Sequence, residues 1–253
     1  MSKIALITGA TSGIGAATAH LLAANGFDLI LTGRRNKRLV ELENVLSSKY
    51  KAKCLLLCFD VTKAEQVQSS LHSLTANWKA VDVLINNAGL AVGLESVDSG
   101  EIEDWERMID TNIKGLLYVS RSVVPWMKER KTGHIINISS LAGKESYPMG
   151  GVYCGTKHAV EAITQAMRIE LLPYGIKVGT IAPGMVDTEF SNVRFKGDNE
   201  RAKNVYKGVT PLSPADIAET ILFVITRPAH VNIGDMLILA TAQGSARDVF
   251  RNP

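Results

Sequence analysis

The stretch from Lys3 to Gly26 reads KIALITGATSGIGAATAHLLAANG, and it is the clearest indication of the fold in this sequence. Residues 3–8 form a continuous apolar run, which is typical of a buried parallel strand. A turn with glycines at positions 9, 13 and 15 follows, and Gly26 closes the apolar-periodic helix after it. A strand, a glycine turn and a helix N-terminus together bring backbone N–H groups and a positive dipole to a pyrophosphate. One such turn is weak on its own, but its position here predicts a dinucleotide-binding unit.

The rest of the 253 residues repeats the alternation of strand and helix. Further strands are predicted at 27–32, 53–59, 81–86, 134–139, 176–182 and 235–241, and helices at 63–78, 104–131, 151–172 and 214–226. This order predicts an α/β fold with a single doubly wound parallel seven-stranded sheet of the Rossmann type and helices on both faces. We expect one domain over residues 1–253. Residues 184–213 lose clear periodicity and read as a lid over a ligand.

The end of the second strand indicates which dinucleotide binds. An acidic residue there would hold the 2′-hydroxyl of NAD, but the chain has Thr32-Gly33-Arg34-Arg35 and no carboxylate before Glu41. Two guanidinium groups suit the 2′-phosphate of NADP. The alternative is a solvated helix start, where cations are placed unfavourably. That unfavourable placement favours a bound anion, and the predicted cofactor is NADP.

Composition excludes several classes of partner. The formal net charge is +3 with both signs scattered, so no nucleic-acid partner is expected, and no apolar run reaches the ~20 residues of a membrane span. The beginning of the chain has no signal-peptide pattern. Cys54 and Cys58 would lie about 13 Å apart in one strand, too far for a disulfide. Free cysteines suit a reducing compartment, and we expect a cytoplasmic protein.

Tyr153 and Lys157 form the candidate reaction centre. In a helix starting near Gly151, residues four apart share one face, and an ammonium beside a phenol favours the phenolate. Ser140 follows the strand 134–139 at the sheet edge where such folds bind ligands. This arrangement predicts Tyr153 as acid/base, Lys157 as its electrostatic partner and Ser140 as a hydrogen-bond donor to a substrate oxygen. Alone, a Tyr-x-x-x-Lys spacing also arises by chance in many helices.

Within the helical pattern 104–131, two residues break the regularity. Asn112 interrupts the apolar face formed by Trp105, Met108, Ile109, Ile113, Leu116, Leu117 and Val124. A polar residue there is either a local kink or part of a site. Pro125 is expected to bend the helix.

Taken together, these pieces resemble the short-chain dehydrogenase/reductase family along the whole chain. The matching motifs are Thr8-Gly9-x-x-x-Gly13-Ile14-Gly15, Asn86-Asn87-Ala88-Gly89, Asn112, Ser140, Tyr153-x-x-x-Lys157 and Pro183-Gly184. In that family the catalytic serine lies thirteen residues before the tyrosine, which selects Ser140 over Ser139. The resemblance implies a catalytic set of Asn112, Ser140, Tyr153 and Lys157, with Asn112 linked to Lys157 through water, and no metal. The residues predicted to bind the cofactor are Gly9, Thr11, Ser12, Gly13, Ile14, Gly15, Arg34, Arg35, Asp60, Val61, Asn87, Ala88, Gly89, Tyr153, Lys157, Pro183, Gly184, Val186 and Thr188.

Longer stretches look like the bacterial NADP-dependent 3-hydroxy acid dehydrogenases, which act on serine, L-allo-threonine or 3-hydroxypropionate. These stretches are MIDTNIKGLLYVSR, NNAGLAVGLE, TEFSNVRFKGD and RPAHVNI. The resemblance implies hydride transfer between nicotinamide and a small 3-hydroxy acid or its semialdehyde or keto form, in a homotetramer built on helices 104–131 and 151–172 and the last strand. Two alternatives remain: a reductase of another carbonyl (a sugar, a steroid or an acyl thioester), and a catalytically silent NADP-binding sensor or scaffold.

The substrate carboxylate would need a cationic partner, because an unpaired buried anion is costly. Between Pro183 and Arg201 the only basic residues are Arg194 and Lys196. The planar fork of arginine matches a carboxylate, so Arg194 is the better candidate. Together with Ser140 and Tyr153 it completes the predicted substrate contacts. Alternatively, Arg194 pairs with Asp187 or Glu189, or faces water.

Overall fold

Seven parallel strands form the centre of the molecule. A computed structural model describes residues 2–252. The strands are β1 (Ile4–Ile7), β2 (Asp28–Gly33), β3 (Cys54–Cys58), β4 (Val81–Asn86), β5 (Gly133–Ile138), β6 (Ile176–Pro183) and β7 (Asp235–Ile238). They lie in the order β3-β2-β1-β4-β5-β6-β7, and every neighbouring pair is parallel. The predicted Rossmann-type sheet is confirmed, with its topological switch point between β1 and β4.

Helices cover both faces of this sheet. They are α1 (Gly13–Ala24), α2 (Asn36–Tyr50), α3 (Ala64–His72), α4 (Ala76–Lys79), α5 (Ile102–Ile109), α6 (Leu116–Arg130), α7 (Gly151–Leu171), α8 (Phe190–Arg194), α9 (Asn199–Asn204) and α10 (Pro214–Ile225). A π-helical segment joins α5 to α6, and 3₁₀ turns follow β5 and α7. The α1 helix ends as predicted, with Gly26 in the left-handed region at φ +78°.

Alternate residues of each strand pack into two apolar layers. Ala5 and Ile7 face α1, α2 and α10, whereas Leu6 faces α3, α6 and α7. Successive strand residues point to opposite faces, and both faces of this sheet are covered. This is why β1 reads as an uninterrupted apolar run.

The predicted single helix over 104–131 is interrupted. The π-helical segment Asp110–Gly115 contains Asn112 and separates α5 from α6. A wider turn changes which side chains face the core, so Met108 and Leu116 are buried while Ile109 and Leu117 are 38% and 41% exposed. Regular 3.6-residue periodicity could not anticipate this. Pro125 lies inside α6, and the bend expected there stays a prediction.

Smaller differences concern element ends. The predicted helix 63–78 consists of α3 and α4 with a break at residues 73–75, and the last strand stops at Ile238 rather than 241. The aperiodic segment 184–213 contains two short helices, α8 and α9, which are too short to show a period. All three cysteines are free, as predicted.

No helix within residues 2–252 combines the length and apolar content that a membrane crossing requires. In the same part of the chain, no group of three or more His, Cys, Asp and Glu side chains is arranged to hold a metal ion.

Candidate active site

A cleft of about 900 Å³ opens at the carboxyl ends of the strands. The predicted residues that line it are Gly9, Thr11, Ser12, Gly13, Ile14, Arg34, Arg35, Asp60, Val61, Asn87, Ala88, Gly89, Ser140, Tyr153, Lys157, Pro183, Gly184, Val186, Thr188 and Arg194. Two predicted residues, Gly15 and Asn112, do not line the cleft. Its walls include the loops that follow β1 to β6, as expected for an open parallel sheet.

The glycine turn forms one end of this cleft. Gly9 and Gly13 have φ values of +65° and +53°, which side-chain-bearing residues rarely adopt. A Cβ on Gly15 would lie 2.4 Å from the Gly9 carbonyl oxygen, so Gly15 lets α1 approach the turn rather than face a ligand. The Thr8 hydroxyl ties this turn to the loop after β4 by accepting hydrogen bonds from the backbone of Asn87 (3.0 Å) and Ala88 (2.9 Å). This close-packed turn at a helix N-terminus fits a pyrophosphate.

Basic side chains cluster beside the glycine turn. Arg35 donates to the Thr11 hydroxyl (2.8 Å) and the Ser12 hydroxyl (2.8 Å), and it pairs with Glu189 at 2.9 Å. Arg34 lies 3.8 Å from Asp60. Arg38, which the sequence analysis did not identify, contacts both carboxylate oxygens of Glu189 at 2.7 and 2.9 Å. This arginine cluster therefore binds the carboxylate of Glu189, which comes from residues 184–213. A cluster that binds one anion also suits another, such as a 2′-phosphate.

Tyr153 and Lys157 lie one turn apart on α7, as predicted. They are 8% and 6% exposed, and Lys157 Nζ lies 6.0 Å from the centre of the Tyr153 ring and donates to the Ile138 carbonyl at 2.9 Å. Burial lowers the pKa of Lys157 to about 8, and the Glu161 carboxylate opposes this shift. The group is therefore poised between its charged and neutral forms near neutral pH.

The pKa of Tyr153 is raised by burial, and hydrogen bonding to Ser140 and the charge of Arg194 oppose that rise. The electrostatic role predicted for Lys157 stays a prediction. Arg194 is a second cation near this ring, since its guanidinium carbon lies 5.8 Å from the ring centre and Lys157 Nζ lies 6.0 Å from it. Ser140 begins the 3₁₀ turn after β5, where its Oγ accepts a hydrogen bond from the Ala142 backbone at 3.1 Å. Its hydroxyl hydrogen is thus left for another acceptor.

Asn112 serves first as a structural link. Its Oδ1 accepts from the Leu90 backbone at 2.8 Å, and its Nδ2 donates to the Leu90 carbonyl and the Thr156 hydroxyl. These bonds hold the loop after β4 against α7. A Cβ built on Gly89 would lie 3.3 Å from Asn112 Oδ1 and 3.5 Å from Lys157 Nζ, so Gly89 leaves the space between those two atoms open. The second lone pair of Oδ1 is available to a group in that space.

Arg194, the last residue of α8, lies over the reaction centre. Its guanidinium carbon is 5.8 Å from the ring centre of Tyr153 and 5.5 Å from that of Tyr147, and its Nη2 donates to the Tyr147 hydroxyl at 3.1 Å. Its Nε is buried and has no hydrogen-bond partner among residues 2–252. Glu189, one of the two acidic neighbours considered for Arg194, instead binds Arg35 and Arg38.

Several site residues were missed by sequence reasoning. Arg38 lies one helical turn after Arg35, so a search for basic residues on the first turn of α2 could have found it. Glu189 and Tyr147 carry no local pattern that indicates a site. Phe190, whose ring centre lies 5.7 Å from that of Tyr153, looks like an ordinary apolar residue in the sequence. Only the fold brings these side chains to the cleft.

Comparison with known proteins identifies relatives that match nearly the whole chain. The sequence profile of the family described as short chain dehydrogenase matches residues 3–199. The NADP-dependent 3-hydroxy acid dehydrogenase YdfG of Salmonella typhi is 45% identical over 244 residues, covering 96% of this chain and 97% of that protein. The NADP-dependent 3-hydroxy acid dehydrogenase of Schizosaccharomyces pombe is 44% identical over 250 residues, covering 98% and 96%.

Solved structures give the same result. A closed form of serine dehydrogenase complexed with NADP⁺ is 43% identical and superimposes with a TM-score of 0.91, covering 98% of this chain and all of that one. Serine dehydrogenase from Escherichia coli is 38% identical with a TM-score of 0.81, covering 95% and 99%. The arrangement of strands and helices described above is therefore shared by these enzymes over nearly the whole chain.

Proposed function

Because this chain belongs to the short-chain dehydrogenase family, we propose that it is an NADP-dependent oxidoreductase of small 3-hydroxy acids of the serine, allo-threonine or 3-hydroxypropionate type. The relatives named for this activity cover nearly the whole chain, and they include an enzyme solved with NADP⁺. The glycine turn and the cluster of Arg34, Arg35 and Arg38 fit that cofactor. The cofactor residues predicted above lie around the same cleft, apart from Gly15.

Proton transfer falls to Tyr153. When bound, NADP accepts the hydride from the hydroxyl-bearing carbon or returns it to the carbonyl. In the oxidation direction Tyr153 takes the hydroxyl proton, and in the reduction direction its phenol supplies that proton. Ser140, whose Oγ accepts from the Ala142 backbone, would donate its hydroxyl hydrogen to the substrate oxygen in place of its hydrogen bond with Tyr153. Since burial raises the pKa of Tyr153, the neutral phenol is the resting form, and this form supplies the proton in reduction. In oxidation the phenol must first release its own proton to solvent, and the phenolate then takes the hydroxyl proton.

Lys157 and Asn112 complete the catalytic set. The ammonium of Lys157 donates to the Ile138 carbonyl, and its remaining N–H groups would be available to a ribose hydroxyl of the cofactor. The space at Gly89 lies between Lys157 Nζ and Asn112 Oδ1, so a water molecule there would connect the two. Through that connection the proton released at the reaction centre passes toward solvent.

The single observation that carries the substrate class is the guanidinium of Arg194 beside the buried Tyr153 ring. In a 3-hydroxy acid the carboxylate carbon is two bonds from the carbon that carries the hydroxyl. A substrate whose hydroxyl meets Tyr153 therefore brings its carboxylate toward the neighbouring Arg194. The guanidinium of Arg194 donates to the Tyr147 hydroxyl, and its buried Nε has no partner among the described residues. It can therefore donate hydrogen bonds to a bound anion.

A kinetic panel tests the proposed activity. Serine, allo-threonine, 3-hydroxyisobutyrate and 3-hydroxypropionate, each with NADP and NAD, should show turnover with NADP on at least one of these acids. A sugar, a steroid and an acyl thioester serve as substrates of the alternative reductases. Turnover confined to one of those three would replace the hydroxy-acid assignment. Binding of NADP with no turnover on any substrate would identify a silent sensor.

Replacing Arg194 by methionine tests its role separately. We expect KM for a turned-over acid to rise about 30-fold or more, because truncating one partner of a buried charge pair is strongly unfavourable. An uncharged alcohol of similar size should change much less. Lys196→Met is the matched control, since it removes the cation nearest to Arg194 in the sequence of this segment. Equal losses on acid and alcohol in Arg194→Met would mean that the segment no longer closes, and would contradict the carboxylate role.

The finer assignments are part of this proposal. We take residues 1–253 as one domain, residues 184–213 as its lid, and the protein as a cytoplasmic homotetramer. Exposed apolar residues on the elements expected at the interfaces support the oligomer: Leu117 on α6, Ile169 on α7 and Leu237 on β7. Light scattering coupled to size-exclusion chromatography should give four times the 27.4 kDa chain mass. A monomer would contradict the tetramer.

A further inference from the structure

Glu161 lies on the same helix as the two central residues of the site, one turn after Lys157. Tyr153, Lys157 and Glu161 are spaced four apart on α7, so their side chains share one face. The first two belong to the proposed catalytic set. Glu161 is outside the cleft lining, and nothing in the proposed reaction uses it.

The Glu161 carboxylate is held by groups from two other elements. The Lys144 ammonium lies 2.9 Å from Glu161 Oε2, and the Thr180 hydroxyl lies 3.0 Å from the same oxygen. Thr180 is on β6, and Lys144 follows the 3₁₀ turn that Ser140 begins. The Glu161 side chain is 18% exposed, and its second oxygen, Oε1, is buried without a hydrogen-bond partner among residues 2–252.

Asp235 provides an internal comparison. It binds the same two groups, with Lys144 Nζ at 2.7 Å and the Thr180 hydroxyl at 2.8 Å. It lies on β7, and its side chain is 52% exposed. The two carboxylates therefore share their partners, but only Glu161 lies on α7, one turn after Lys157.

We propose that Glu161 is a positioning residue for Lys157: its carboxylate, anchored by Lys144 and Thr180, keeps the Lys157 ammonium charged inside the buried site. A buried lysine tends to lose its proton, because burial penalises the charged form. Without a charge, Lys157 could neither hold a ribose hydroxyl as a cation nor stabilise a phenolate at Tyr153. Glu161 supplies the one carboxylate that opposes this loss within the described residues.

Other charged groups near Lys157 also influence whether it keeps its proton. Tyr153, on the same helix, is kept neutral by burial, and Arg194 acts on Tyr153 from the 184–213 segment. Lys144 pairs with both Glu161 and Asp235. The net charge that Glu161 presents to Lys157 therefore depends on Lys144, which neutralises part of it.

The test measures the protonation of Lys157 directly, in the protein without cofactor. Competitive acylation modifies only neutral amines, so the pH midpoint of Lys157 labelling, read by mass spectrometry, reports its protonation. Glu161→Gln keeps an oxygen that can accept from Lys144 and Thr180 but removes the charge. We expect its midpoint to fall by about one pH unit. Asp235→Asn, the matched control, should leave the midpoint unchanged.

Lys144→Met provides a variant with the opposite expected sign. Removing the cation that neutralises Glu161 should raise the Lys157 midpoint, and the upper pH limit of kcat/KM should move in the same direction for each variant. Melting temperatures identify any variant that fails to fold. Equal midpoints in the wild type and Glu161→Gln, or equal shifts in Glu161→Gln and Asp235→Asn, would overturn the proposal. Because labelling needs no substrate, this result is independent of the proposed hydroxy-acid activity.

Discussion

The two sides of the cleft are built differently. On one side α7 carries Tyr153 and Lys157, which are buried and packed against the sheet. On the other side the segment 184–213 carries Arg194 on a five-residue helix. This segment is tied to the rest of the protein by partly exposed ion pairs, Glu189 with Arg35 and Arg38 and Lys196 with Asp104, and by a backbone bond from Gly93 to Arg194.

Under the proposed function, this difference separates the residues of the reaction from those that select the substrate. Proton transfer requires fixed geometry, and a long helix packed on a sheet provides it. Substrate entry requires a part that can open, and short helices held by exposed ion pairs open at low cost. Residues of the fixed side should therefore control turnover, and residues of the 184–213 segment should control KM.

The largest effect is expected at the centre of the fixed side. Tyr153→Phe keeps the ring and its packing against Phe190 but removes the transferable proton. Turnover should fall by at least ~100-fold, the lower range for loss of a general acid or base, while NADP binding is kept. Steady-state kinetics and fluorescence titration with NADPH measure the two properties. Near-normal turnover would show that the fixed side does not supply the proton.

A second prediction concerns the arginine cluster where the two sides meet. Replacing Arg34 and Arg35 by glutamine should weaken NADP binding at least ~100-fold, since hydrogen bonds to charged groups contribute about 1.5–3 kcal/mol each. NAD lacks the 2′-phosphate and should be much less affected. Lys37→Gln, an exposed residue of the same turn, is the charge-matched control. If NADP and NAD affinities fall together, these arginines hold the 184–213 segment in place rather than bind the 2′-phosphate.

A third prediction concerns the stability that is lost at low pH because of His134, a residue on the fixed side. His134 on β5 is buried with neither ring nitrogen hydrogen-bonded among residues 2–252, and burial together with Lys177 lowers its pKa to about 3 from 6.5. Its contribution to stability is complete above pH 6.5 and is lost as pH falls, because only the unfolded chain gains the proton. By pH 5 the loss should be about 2 kcal/mol of unfolding free energy.

Urea unfolding of the wild type and His134→Gln at pH 7.5 and 5.0 measures this loss. The wild type should lose more stability than the variant over that interval. The Glu189 ion pairs should persist at pH 5, because hydrogen bonding to Arg35 and Arg38 lowers the pKa of that carboxyl below its ordinary 4.5. An identical pH dependence in both proteins would exclude His134 as the source.

The smallest effect is expected at Lys196, in the middle of the 184–213 segment. Lys196 lies 2.7 Å from Asp104 but is half exposed, so Lys196→Met should raise KM less than about fivefold and leave kcat unchanged. The difference from wild type should shrink further at high salt, which screens exposed pairs. A large drop in kcat would mean that this segment also shapes the reaction centre.

Most of the architecture could be predicted from the sequence. Each buried parallel strand is a short apolar run. The glycine turn after β1 identifies the nucleotide end of the sheet, because residues with side chains rarely adopt its positive φ values. What could not be predicted is the change of period at Asp110–Gly115. A π-helical turn follows from bonds between Asn112, Leu90 and Thr156, which are far apart in the chain.

The sequence by itself determined the elements that repeat locally: the seven strands, the glycine turn, and the Tyr153 and Lys157 pair one turn apart on α7. The tertiary structure alone decided which charges act on that pair. Arg194 comes from the 184–213 segment to within 5.8 Å of the Tyr153 ring centre, and Glu161, held by Lys144 and Thr180, lies one turn after Lys157. The physical reason is that electrostatic effects depend on distance and burial in space, whereas helix and strand patterns depend on spacing along the chain.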